Sequence, residues 1–283
     1  MQGPAGEFGV RVTAATLATV LVGLAILAGA AGCSSGRPSP DVVLITIDTL
    51  RADRLGSYGN GDGLTPVLDR LAERGVRFSD ASATVPVTLP SHASLMTGRY
   101  PTAHGVRNNG TFVVPDEEVT LAERLRDSGW RTAAVIASYP LDERYGLGQG
   151  FERYDDEFPQ AASTGKVQLH FSERRADAVT DRAIAAWEAL GDGPRFLWVH
   201  YFDPHAPYAP PEPWRARHGE NRYDGEVAYV DSEIGRLLAS IEDAGRDPVV
   251  VVTSDHGEGL GDHDEKTHGV FLYHSTMHVP LIV

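Results

Sequence analysis

The stretch 249-VVVVTSDHGE-258 is an apolar run that stops abruptly at Asp255 and His256. A run of this length and composition predicts a strand that is buried on both faces, as in a parallel sheet. A second run, residues 41–47 (DVVLITI), ends in the same way at Asp48. Because open α/β sheets place their chemistry beyond the carboxyl ends of strands, the two runs predict acids at one shared edge. A plainer alternative stays open, in which Asp48 caps a turn and Asp255 begins a loop.

Strand and helix patterns alternate along the rest of the chain, which predicts an α/β fold: a doubly wound, mostly parallel sheet flanked by helices. The final residues, 279–283 (VPLIV), read as the start of another strand. That strand is either a sheet edge or the end of a fragment, and we expect a fragment, with the C-terminal part of the domain missing. The predicted helices span about 66–74, 120–129, 173–190 and 224–244, and the predicted strands span 130–137 and 196–201.

The N-terminal residues 1–33 are typical of an export signal of the lipoprotein type. Residues 12–31 form a nearly continuous apolar and small-residue stretch, and the only cysteine, Cys33, follows it directly. Cys33 is therefore predicted to carry a lipid that anchors the protein in the membrane of a bacterial cell envelope. An uncleaved transmembrane anchor and an ordinary secretion signal are the alternatives. Residues 34–40 (SSGRPSP) read as a polar tether, and residues 41–283 as one catalytic domain.

The charge of the chain restricts its partners. The formal net charge is −14, from 39 acidic residues against 25 lysines and arginines, and no basic run is present. Nucleic acid is therefore not an expected partner, because phosphate backbones attract basic surfaces. An acidic protein that acts on a small anionic ester needs a local device, such as a metal ion, to reverse the sign of the charge at its site.

Two carboxylates and an imidazole at strand ends are the ligand set expected for a divalent cation. The segment 84-TVPVTLPSHASLMTG-98 adds a candidate nucleophile. With Pro90 at its first position, a short helix to Thr97 would leave Thr88 at its start, beside free backbone N–H groups that favour anions. A hydroxyl next to a metal is a plausible nucleophile, although an ordinary N-cap threonine would show the same pattern.

Three segments together resemble the sulfatase family of the alkaline phosphatase superfamily: 48-DTLRAD-53, 89-LPSHASLMTGRYP-101 and 254-SDHGE-258. The resemblance runs from Asp41 to the end of the chain. It implies a large α/β domain whose strand ends bind one or two divalent cations, and an in-line attack on a sulfate or phosphate ester.

The sequence also departs from this family. Sulfatases carry a Cys, or Ser, that is oxidised to formylglycine, where this chain has Thr88. Thr49 stands where many sulfatases have a second metal-binding Asp, and His92 replaces the arginine that supports the nucleophile. Threonine cannot form the aldehyde, so the chain resembles the threonine-nucleophile branches of the superfamily more closely.

In those branches the resemblance implies a metal set of Asp48, Thr88, Asp255 and His256. It further implies His205 and His268 as catalytic histidines, and Asn109 and His92 as substrate-binding residues. The predicted function is a metal-dependent hydrolase of sulfate or phosphate esters with Thr88 as nucleophile. The cation is Ca, Mn, Zn or Mg. A phosphoethanolamine-type phosphotransferase at the cell envelope and a non-catalytic binding lipoprotein are the alternatives.

Overall fold

The computed structural model describes residues 39–158 and 173–283. Within these ranges the chain forms a seven-stranded sheet of order β2-β7-β6-β1-β5-β3-β4. The strands are β1 (Val42–Ile47), β2 (Arg77–Ser82), β3 (Arg131–Val135), β4 (Arg153–Asp155), β5 (Arg195–Tyr201), β6 (Val249–Ser254) and β7 (His278–Ile282).

The predicted mostly parallel sheet is confirmed. Strand β1 lies between β5 and β6 and is parallel to both, and β5, β3 and β4 continue the parallel order. The register places Ile47 opposite Tyr201 on one side and Ser254 on the other. Because these three residues end their strands at the same level, Asp48 and Asp255 follow at one edge of the sheet, as the two apolar runs predict.

Helices cover both faces of the sheet. Helix α1 begins at Pro66 with proline in its first turn, and α4 begins with the predicted capping box, in which Thr120 and Glu123 each bind the other's backbone N–H. The helices are α1 (Pro66–Arg74), α2 (Thr88–Thr97), α3 (Pro101–His104), α4 (Leu121–Asp127), α5 (Ala176–Ala189), α6 (Trp214–His218), α7 (Arg222–Asp243) and α8 (His274–Met277).

The faces of the sheet differ in what they pack against. Side chains of β1 alternate between them, so that Ile45 belongs to the cluster with α5 and α7, and Leu44 to the cluster with α2 and α4. Both clusters are buried. Strand β1 therefore lies in the centre of the molecule, where rigid packing holds the residue that follows it.

Three details of the sheet correct the sequence prediction. Strand β6 is buried only in its second half, and Val249 is 40% exposed at the open end of the sheet. Strand β7 is not an edge strand, because it lies between β6 and β2 and is antiparallel to both. Strands β2 and β4 were not predicted: β2 is mostly exposed and polar, and β4 has three residues, so neither shows an apolar pattern.

The predicted signal segment, with its lipidation residue Cys33, lies outside the described residues, as does most of the tether 34–40. The domain boundaries and the lipid anchor stay predictions. No helix within the described ranges is both long enough and apolar enough to cross a membrane.

Candidate metal and nucleophile site

Asp48, Asp255 and His256 come together at the edge of the sheet, fully buried, with one ligand atom of each within 4.8 Å of the others. His256 Nε2 lies 3.4 Å from Asp255 Oδ2 and 3.9 Å from Asp48 Oδ1. Both carboxylate oxygens of Asp48, Asp255 Oδ2 and His256 Nε2 have no hydrogen-bond partner within the described residues. Buried polar atoms are nearly always partnered, so a cluster of such exceptions from three residues fits a bound cation.

The backbone fixes which atoms face the centre of this group. Asp255 Oδ1 accepts hydrogen bonds from the N–H groups of Thr49 (3.3 Å) and His256 (2.8 Å), which leaves Oδ2 for a cation. His256 Nδ1 donates to the carbonyl of Gly257 at 3.0 Å, so the neutral ring has its lone pair on Nε2. Burial, assisted by the nearby His268, lowers the pKa of His256 to about 3. The imidazole is thus in the form that binds metals.

The pKa values of the two carboxylates are shifted in opposite directions, although both groups are buried. Burial and the charge of Asp48 raise the pKa of Asp255 well above its usual range. Burial also opposes the ionisation of Asp48, but the adjacent imidazoles, led by His200, outweigh it and lower the pKa of Asp48. Two anions at this separation repel each other strongly, and a divalent cation between them would offset both the repulsion and the burial.

Thr88 is the first residue of helix α2 and is 3% exposed. The helix begins two residues before the predicted start at Pro90, because Ser91 N–H already bonds to the Val87 carbonyl at 3.1 Å. Ser91 Oγ also donates to the Asp255 carbonyl at 2.6 Å, which connects the first turn to Asp255. The candidate nucleophile therefore lies on a turn that is attached to the predicted cation site.

Asn109 acts as an external cap of helix α2. Val87 precedes the helix and has no side-chain acceptor, and Asn109 Oδ1 instead accepts the Leu89 N–H at 2.8 Å. With Leu89 N–H occupied and no N–H on Pro90, the first turn offers at most the Thr88 N–H to an anion, fewer donors than the sequence predicts. The same bond fixes the orientation of the Asn109 amide and leaves its NH₂ group for a substrate oxygen.

His92 lies behind the backbone of Thr88, the candidate nucleophile. The ring is fully buried, Nδ1 donates to the Thr88 carbonyl at 2.8 Å, and Nε2 lies 3.1 Å from the Thr46 hydroxyl. Burial, with the neighbouring His200, lowers the pKa of His92 to about 3, so the ring is neutral. This geometry does not fit the predicted role of His92 in substrate binding, because both ring nitrogens are already used by the protein.

His205 and His268 approach the site from two loops. The His268 ring lies 4.4 Å from the His256 ring and 5.2 Å from the His205 ring, measured between centroids. His205 stacks on Phe202 at 4.3 Å and its Nδ1 donates to the Ala206 carbonyl, so Nε2 has a free lone pair. Of the two predicted catalytic histidines, His268 therefore lies beside His256, and His205 lies beside His268.

Glu258 controls the charge of His268. Its buried carboxylate lies 3.2 Å from His268 Nδ1 and accepts the Tyr208 hydroxyl at 3.0 Å. Burial of the His268 ring opposes its protonation, but the Glu258 carboxylate outweighs this effect and raises the pKa of His268. Glu258 lies inside the 254-SDHGE-258 segment, so the signal was present in the sequence, but a role for it requires the contact with His268.

Thr49, which stands where many sulfatases have a second metal-binding Asp, makes structural contacts in this chain. Its φ of 55° is unusual for a β-branched residue and indicates local strain. The Thr49 hydroxyl donates to the Pro204 carbonyl at 2.9 Å, and the Tyr223 hydroxyl donates to the Thr49 carbonyl at 2.7 Å. Thr49 therefore connects the end of β1 to the loop that carries His205, and does not supply a ligand.

Comparison with known proteins identifies the chain. The family model for sulfatases matches residues 40–283. This chain belongs to the sulfatase family. The ulvan-active sulfatase of Formosa agariphila is 27% identical over 270 residues, which cover 80% of this chain and 52% of that protein. The chain thus spans about half the length of the curated relatives it matches.

Solved structures share the fold of this sulfatase family member. The YidJ protein of Bacteroides fragilis has a TM-score of 0.73 at 22% identity, covering 88% of this chain and 69% of that chain. The phosphonate monoester hydrolase of Agrobacterium radiobacter has a TM-score of 0.69 at 22% identity, covering 86% of this chain and 68% of that chain. The predicted family and fold class are confirmed.

Proposed function

We propose that this chain forms a metal-dependent hydrolase of sulfate or phosphate esters in which Thr88 is the nucleophile. The observation that carries the proposal is the convergence of three buried residues with unpartnered ligand atoms, Asp48, Asp255 and His256, next to the turn that begins with Thr88. Carboxylate oxygens and a neutral imidazole suit Mn²⁺ and Zn²⁺, and the oxygens also suit Ca²⁺ and Mg²⁺. The family membership of the chain supports ester hydrolysis.

A cation held by these three residues would lower the pKa of an adjacent hydroxyl and offset the charge of an anionic ester. The Thr88 oxygen attacks sulfur or phosphorus and forms a covalent threonine ester as the leaving oxygen departs. His268, whose pKa is raised by Glu258, is suited to protonate that oxygen. His205, with a free Nε2, is suited to accept a proton, and the Asn109 NH₂ group to hold a non-bridging oxygen.

The nucleophile separates sulfate from phosphate chemistry. Formylglycine expels sulfate through its own second hydroxyl, and Thr88 has no such route. We therefore expect phosphate esters to be turned over at least as well as sulfate esters. The phosphonate monoester hydrolase of Agrobacterium radiobacter supports this expectation in one respect: a protein of the same fold acts on a phosphorus ester.

The deciding experiment tests cation and ester class together. The full chain, purified in detergent, is assayed against an aryl sulfate, a phosphate monoester, a phosphate diester and a phosphonate, with Mn²⁺, Zn²⁺, Ca²⁺ or Mg²⁺. Thr88→Ala should be inactive in every combination. Thr97→Ala is the matched control, because Thr97 lies at the other end of helix α2, where its hydroxyl donates to the Ala93 carbonyl and accepts the Arg99 N–H. Full activity of Thr88→Ala would overturn the proposal.

Product analysis separates hydrolysis from the two alternatives. If added alcohols capture the group in place of water, the chain is a phosphotransferase that uses the same threonine ester. If wild-type protein binds the esters but turns none over with any of the four cations, it is a binding protein. The hydrolase assignment requires inorganic sulfate or phosphate as the product.

We further propose that the protein is exported and attached to the cell envelope through a lipid on Cys33. The support is the position of the only cysteine directly after the apolar stretch 12–31. Cys33→Ser should abolish labelling with a fatty-acid probe and move the protein out of the membrane fraction. If this variant stays in the membrane fraction at unchanged mass, an uncleaved apolar segment is the anchor instead.

A further inference from the structure

His200 lies at the base of the metal site but belongs to none of the segments that resemble the family. It is on strand β5, opposite Thr46 of β1, and is fully buried. Its Nδ1 accepts the Ala137 N–H at 3.3 Å, so in the neutral ring the proton is on Nε2. His200 Nε2 lies 3.6 Å from Asp48 Oδ2, and neither atom has a hydrogen-bond partner within the described residues.

The surroundings hold the His200 ring in one orientation. The His92 ring meets it edge to face, with centroids 5.0 Å apart and planes at 75°. His92 is itself fixed, because its Nδ1–H donates to the Thr88 carbonyl and the Thr46 hydroxyl must then donate to its Nε2. The Trp198 indole N–H donates to the same Thr46 oxygen at 3.0 Å. This buried network fixes His92, which in turn packs against the His200 ring.

The tautomer decides what His200 can do at the site. A nitrogen that carries a proton has no lone pair for a metal, so His200 is not a further ligand. His200 Nε2 lies 3.6 Å from one oxygen of Asp48, Oδ2, while the other oxygen, Oδ1, lies 3.9 Å from His256 Nε2. Carboxylates that bind metals are commonly held in this way, with one oxygen on the cation and the other near a donor.

We propose that His200 is a positioning residue that orients the metal ligand Asp48 through Nε2–H, with the Ala137 N–H selecting the required tautomer. This inference rests on the proposed metal site. It explains why a histidine is buried here without a hydrogen-bond partner for Nε2. If the position served packing alone, an apolar side chain would fill it at a lower cost in desolvation free energy. It also gives the backbone that follows strand β3, through Ala137, an influence on the cation.

Two near-isosteric variants separate positioning from packing. In His200→Gln the side-chain NH₂ can take the place of Nε2–H beside Asp48, while the acceptor for Ala137 N–H is lost. In His200→Asn the side-chain oxygen can accept the Ala137 N–H, while the donor to Asp48 is lost. Mn²⁺ affinity is measured by calorimetry on the EDTA-treated full chain, and thermal stability is measured on the same metal-free samples.

We expect the two measurements to rank the variants in opposite orders. Mn²⁺ affinity should fall about 10- to 100-fold in His200→Asn and much less in His200→Gln, as for other outer partners of metal ligands. Metal-free thermal stability should be lower in His200→Gln than in His200→Asn. A purely structural role predicts that the less stable variant also binds Mn²⁺ more weakly, and that result would overturn the positioning role. Wild-type protein that binds none of the four cations would overturn the metal site itself.

Discussion

The site has two walls that are built in different ways. The metal wall consists of Asp48, Asp255 and His256, which end or follow central strands and are at most 2% exposed. The histidine wall consists of His205 and His268, which lie on loops and are only partly buried. Each residue of the histidine wall is oriented by one polar contact, to the Ala206 carbonyl for His205 and to Glu258 for His268.

The difference indicates how the two walls divide the chemistry. Rigid strands and packed surroundings suit the metal wall, because a cation needs donors at fixed distances. In the proposed mechanism the histidine wall holds and releases protons, so the charge of its rings matters more than their rigidity. One neighbouring carboxylate is enough to change that charge. Substitutions in the metal wall should therefore abolish binding, while those around the histidine wall should shift the pH dependence.

The largest effect is expected at Thr88, the proposed nucleophile. Thr88→Ala should reduce kcat by about 10³-fold or more, because no other hydroxyl can form the covalent ester. Thr88→Ser should retain measurable activity, since a primary hydroxyl can occupy the same position. A phosphonate probe followed by mass spectrometry of residues 84–99 locates the reactive atom. An adduct on Ser91 is not expected, because the Ser91 hydroxyl donates to the Asp255 carbonyl. Such an adduct would contradict the assignment of Thr88 as the nucleophile.

The next largest effect tests the metal wall. The variants Asp48→Ala and Asp255→Ala should each lose most of the bound cation. Their affinity for the cation should fall by about 100-fold or more, because the loss of a residue that only orients a metal ligand already lowers affinity by up to about 100-fold. Elemental analysis of the purified variants measures this. Asp127→Ala is the control, since Asp127 is an exposed acid paired only with Arg126. Full metal content in both variants would show that the carboxylates do not hold the cation.

The two walls also differ in how well the sequence predicted them. The metal wall follows from strand ends, because register in a parallel sheet brings Asp48 and Asp255 to one level. The contacts within the histidine wall depend on loop paths, which leave no periodic pattern. His200 was missed for a related reason. A histidine in an apolar strand is expected to be a core residue, and the proposed role of His200 depends on its contact with the Ala137 N–H, which the sequence does not show. For His92, the residue was identified but its contact was not.

A smaller effect is expected from the carboxylate behind the histidine wall. If His268 protonates the leaving oxygen, activity is lost as pH rises through its pKa. Glu258 raises that pKa, so Glu258→Gln should lower it and move the basic limb of the kcat profile toward lower pH. Glu152→Gln, a change in a surface ion pair with Arg131, should leave the limb in place. An unchanged limb in Glu258→Gln would assign the proton to another group.

The smallest effect concerns Tyr208, whose hydroxyl donates to the same carboxylate at 3.0 Å. Tyr208→Phe removes a hydrogen bond to a charged group, worth about 1.5–3 kcal/mol, but leaves Glu258 with its contacts to His268 and to the Gly259 N–H. A carboxylate that loses one donor becomes more basic and attracts the His268 proton more strongly. The basic limb of kcat should therefore move slightly toward higher pH, opposite to Glu258→Gln, with cation content unchanged. If the basic limb of kcat moves in the same direction in both variants, Tyr208 and Glu258 affect activity through packing. The charge around the histidine wall would then not set the pH dependence.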